Sequence, residues 1–71
     1  MTELEWRQRF GAHLQDILNE RDVSAYRASL DLGWGKTTIY YLIDGEHSIS
    51  AFKAVQLAEY LGVSLDELLD V

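Results

Sequence analysis

The stretch Gly35-Lys36-Thr37-Thr38-Ile39-Tyr40-Tyr41 places one cation, two hydroxyls and two phenols within seven residues. Groups of this kind suit an acceptor-rich partner such as double-stranded DNA. An ammonium can donate to guanine O6 and N7, a threonine can meet a base edge or a thymine methyl, and tyrosines reach phosphates and sugars. Other chemistries lack their residues. There is no cysteine, so neither a disulfide nor a thiolate metal site can form. His13 and His47 are far apart in sequence and have no clustered carboxylates. They read as a helix-surface and a loop histidine, and no metal or cofactor is expected. No Ser–His–acid or paired-carboxylate spacing can be argued, so no enzyme activity is expected.

The charge runs against the donor row. Twelve acidic residues oppose six basic ones, a formal net charge of −6. The excess is uneven: residues 46–71 hold five acids against Lys53 alone, whereas residues 24–45 balance Arg27 and Lys36 against Asp31 and Asp44. Fields from exposed charges fade over about 8 Å at physiological salt, so the local balance around the row matters more than the total.

Periodicity supplies the elements that must hold the row in place. Five helices and no strands are predicted, a single all-α domain over residues 1–71 with a compact core. Thr2 with Glu5 has the spacing of a capping box and opens a first helix to about residue 20, with Trp6, Phe10, Leu14, Ile17 and Leu18 on one face. Ser24 caps a second helix, "AYRASLD", with Ala28 and Leu32 turned inward. Gly33 makes the turn and Trp34 anchors it. Gly35 is the predicted N-cap of a third helix, about 36–43, which Gly45 ends. Ser50 opens a fourth helix with Ala51, Ala54, Val55, Ala58 and Leu61 as its buried face, and Gly62 stops it. Ser64 with Glu67 reads as a second capping box before "LDELL". No apolar run reaches the roughly 20 residues that span a bilayer, and the charged start lacks a signal-peptide core, so a cytoplasmic protein without membrane contact is expected.

Helix, glycine-containing turn, helix over residues 24–45 is the layout of a helix-turn-helix. Ser24 opening the second helix, Gly33 in the turn, "TTI" at 37–39, Gly45 and above all the tail "LAEYLGVSLDELL" have a joint spacing that resembles the Cro/C1-type (XRE) helix-turn-helix family of phage and bacterial repressors. The resemblance covers about residues 10–70. It implies a five-helix bundle of the lambda-repressor-like type that presents its third helix to the DNA major groove, in a transcriptional regulator working as a homodimer, usually a repressor. Carried across, the DNA-binding positions are Ser24, Arg27, Gly35, Lys36, Thr37, Thr38, Tyr40 and Tyr41, with Arg7 or Arg9 approaching the backbone from the first helix. Phe52 and Tyr60, off the buried stripe of the fourth helix, are candidate dimer contacts.

The sequence departs from the family in three places. Ala25 stands where many relatives keep a phosphate-clamping glutamine. The loop "GEHSIS" lacks basic residues. Leu18 and Ile43 replace an arginine–glutamate pair, a joint swap that predicts contact between them. The first two departures, with the charge, leave an alternative open: a protein-interaction or antitoxin-like module that keeps the fold, binds a protein partner, and has weak or no DNA binding of its own.

Overall fold

A computed structural model describes residues 1–71, which form α1 (Glu3–Glu20), α2 (Ala25–Asp31), α3 (Thr38–Ile43), α4 (Ala51–Leu61) and α5 (Leu65–Leu68). Local chemistry marks most helix starts. The Thr2–Glu5 box is complete, and Ser24, Ser50 and Ser64 each accept a hydrogen bond from the N–H three residues on. At Ser64 only the hydroxyl half of the expected capping box forms. Helix ends are equally regular. At α3 the Gly45 N–H donates to the Leu42 carbonyl and the Glu46 N–H to the Tyr41 carbonyl, with Gly45 at φ +74°. This Schellman arrangement is easiest for a residue without Cβ. Asp22 closes α1 with the same bonds at φ +56°, a conformation that is strained for a side-chain-bearing residue.

One core joins all five helices. Phe10, Leu14, Ile17 and Leu18 of α1 meet Ala25 and Ala28, Ile39 and Leu42, the buried face of α4, and Leu68. Trp6 stacks on Phe10 with ring centroids 5.0 Å apart. The His13 ring N–H donates to the Glu67 carbonyl at 2.7 Å and ties α1 to α5. The buried face of α4 is Ala54, Leu57, Ala58 and Leu61; Ala51 and Val55 are exposed, contrary to the sequence reading. Two faces of α4 share Ala54, Ala58 and Leu61, and packing selects the one that also buries the larger Leu57.

α1 and α3 meet most closely at a glycine. A Cβ on Gly11 would lie 2.2 Å from the Ile43 carbonyl oxygen, so a bare α-carbon is what lets the end of α3 rest on α1. This close approach lies two turns before Leu18, at a different level of α1 from the expected Leu18–Ile43 pairing. No helix is long and apolar enough to cross a membrane.

Candidate nucleic-acid interface

The turn between α2 and α3 is built from its buried side. Trp34 is half-buried against the core, as its anchoring role requires, and its N–H donates to the Ser29 carbonyl at 3.0 Å. Gly35 sits at φ +87° and is not a helix cap. α3 starts later than predicted, at Thr38 after Thr37, and Thr37 makes no side-chain cap bond. The cap comes from elsewhere: the hydroxyl of Ser29, fully buried on α2, accepts from the Ile39 N–H at 3.2 Å. Sequence reasoning missed Ser29 because its partner is ten residues away and no local spacing announces it.

This arrangement separates the candidate residues into two groups. Lys36 and Thr37 face solvent, and Tyr40 and Tyr41 are 45% and 41% exposed. The fold uses neither the Lys36 ammonium nor the Thr37 hydroxyl. The rest are committed. The Thr38 hydroxyl donates to the Trp34 carbonyl. Ser24 caps α2. Arg27 Nε lies 3.2 Å from Asp31 Oδ1 in an exposed pair, a weak restraint that a phosphate could displace. Arg7, expected near the DNA backbone, instead donates from Nη1 to the Glu46 carbonyl at 2.9 Å.

Two further residues join the site. Lys53, read from the sequence as one cation in an acidic segment, places Nζ 5.2 Å from the centre of the Trp34 ring, a cation–π contact that brings it beside the turn. His47 meets Tyr41 edge-on at 5.1 Å. Both, with Ser48, line a cavity of about 290 Å³ between α3 and the start of α4. Residues 32–43 contain no Asp or Glu, so the exposed face of α3 combines hydrogen-bond donors with freedom from like charge toward phosphates.

Tyr60 is not the exposed aromatic that a dimer contact needs. It is half-buried, and its hydroxyl donates to Asp31 Oδ2 at 2.6 Å. That bond to a carboxylate, then burial, then the charge of Asp31 hold the phenol above its ordinary value of 10.0, with Arg27 opposing. Phe52, by contrast, is 72% exposed.

The helix-turn-helix family profile matches residues 14–68, more than half of the chain. The chain belongs to the Cro/C1-type helix-turn-helix family. Members are DNA-binding transcription regulators, which makes DNA the partner that this fold implies. The family match spans α2, the turn and α3 entirely, together with the C-terminal part of α1. No curated protein and no solved structure matches the chain.

Proposed function

We propose that the chain is a sequence-specific transcriptional repressor that lays α3 in the DNA major groove and binds as a two-fold dimer. The observation that carries this reading is the displaced cap. Ser29 satisfies α3 from below, which leaves the Thr37 hydroxyl, with Lys36 beside it, outside the fold's own hydrogen bonding at the leading end of a helix. Lys36 and Thr37 contact base edges, Tyr40 and Tyr41 contact bases or sugar-phosphate, and Lys53 and Arg27 supply phosphate contacts. The dimer uses Phe52 and Val55, which stand one turn apart and exposed on α4. Half-sites lie about one helical turn apart.

Few cations are available, so affinity rests on few ionic contacts. About two per subunit give a dimer a slope of log K against log salt near −4, shallow for a repressor. Selection from random duplex DNA at low and at physiological salt tests the reading. A palindromic site should be enriched at both, and Lys36→Ala should bind it at least about tenfold more weakly while remaining folded. No enrichment at either salt refutes it. The second reading, an interaction or antitoxin-like module, draws on the same Phe52–Val55 patch and the −6 charge. It requires capture of a protein partner that survives Lys36→Ala and is lost on Phe52→Ala.

A further inference from the structure

The family match begins at residue 14, yet α1 begins at Glu3. The extra N-terminal turns of α1 are occupied with the loop that leaves α3. Arg7 Nη1 donates to the Glu46 carbonyl at 2.9 Å. The Ser48 hydroxyl donates to Glu3 Oε2 at 2.6 Å. Gly45 packs on Gln8, where even a Cβ would meet Gln8 Cγ at 3.3 Å. Glu3 and Arg7, 4.0 Å apart, are themselves paired, and the Thr2–Glu5 box fixes the start of the helix that carries them. Three successive loop residues, 45, 46 and 48 with only His47 between, are thus gripped from one side. The opposite side of the same loop carries His47 against Tyr41, and Ser48 near Lys53 on the cavity wall beside α3.

We propose that the first turns of α1 are a brace that holds residues 45–48 in the shape that presents His47 and Ser48 to the DNA backbone, with Arg7 as a positioning residue that touches no DNA. The proposal rests on the DNA-binding reading above. A loop held before binding loses less freedom on complex formation, so the brace raises affinity without adding a contact to the nucleic acid. It therefore changes how tightly a site is bound and leaves unchanged which site is chosen.

The test uses the full chain, its selected duplex and Arg7→Met, which keeps an unbranched apolar side chain and removes the donors. The expected Kd is about tenfold higher, with the enriched sequence and the salt slope unchanged. His47→Ala should abolish most of that effect, so that the double variant binds little worse than His47→Ala alone. A slope shallower by about 0.9 makes Arg7 a direct phosphate contact and overturns the brace, as does full additivity with His47→Ala. In the free protein, exchange of the Glu46 amide, which donates to Tyr41, should quicken about tenfold in Arg7→Met. The matching Val63 amide at the end of α4, which donates to Ala58, should not change. Equal acceleration of both is general destabilisation and also overturns the proposal. A wild-type chain that binds no duplex defeats the DNA-binding reading and the brace's role in affinity with it, whereas wild-type binding with an unmoved Kd in Arg7→Met defeats the brace alone.

Discussion

Gly11→Ala sets two principles against each other with opposite signs. Position 11 lies inside α1, where alanine is favoured over glycine by about 1 kcal/mol through backbone entropy. On propensity alone the variant should be more stable. The new methyl, however, would sit 2.2 Å from the Ile43 oxygen, 2.7 Å from the Leu42 oxygen and 2.8 Å from the Ile43 carbonyl carbon. These are backbone atoms at the end of a helix and cannot rotate away. Ordinary contact needs a retreat of more than about 1 Å, which pulls on the Gly45–Leu42 and Glu46–Tyr41 hydrogen bonds that close α3. Overpacking of this kind costs about 3 kcal/mol at the upper end of its usual range. The clash wins, and the net loss is about 2 kcal/mol. For a domain of this size that lowers the midpoint of thermal unfolding by about 8–16 °C. Far-UV circular dichroism with temperature and with urea measures it, with Ala12→Gly on the exposed side of α1 as the propensity control. A Gly11→Ala midpoint equal to or above wild type refutes the reasoning.

Other consequences follow from the buried polar contacts and the helix ends. Ser29→Ala removes the acceptor of the buried Ile39 N–H and should cost about 1–3 kcal/mol in urea unfolding; a change below about 0.5 kcal/mol means that another group caps α3. At Asp22, φ +56° should make the glycine variant more stable than the alanine variant by about 1 kcal/mol or more, since alanine pays the left-handed penalty in full; the reverse order refutes it. Tyr60→Phe removes the bond to Asp31 and should cost about 1 kcal/mol near neutral pH. Because the fold raises the Tyr60 pKa, this contribution is present in full below the unfolded value of about 10 and is lost as pH rises through the raised folded value. Urea midpoints of wild type and Tyr60→Phe should therefore converge only in strong alkali, and convergence near neutrality contradicts the assigned cause.

What the sequence reveals about this fold is what neighbouring residues decide. Ser24, Ser50 and the Thr2–Glu5 box are local devices, each closing within three residues, and all three form where spacing places them. The start of α3 was not legible in that way. Gly35 has the residue type of a cap, but the hydrogen bond that sets the helix comes from Ser29 on another element. Gly11 was equally silent, since nothing beside it in the chain shows that a carbonyl will press on it. At the candidate interface, Lys36, Thr37, Tyr40 and Tyr41 stand exposed as their positions suggest. Thr38, Arg7 and Tyr60 are diverted by partners 4, 39 and 29 residues away, and only packing reveals those.

The Ser29 hydroxyl also bears on how such a protein could acquire new targets. Because a buried residue of α2 sets the start of α3, residues 36, 37 and 40 contribute little to holding the domain together. Exchanges at exposed positions of that kind usually alter stability by less than about 0.5 kcal/mol. A lineage carrying this scaffold can therefore vary the chemistry at the tip of α3 step by step, each intermediate still folded, while the hydroxyl that orients the helix stays fixed beneath it.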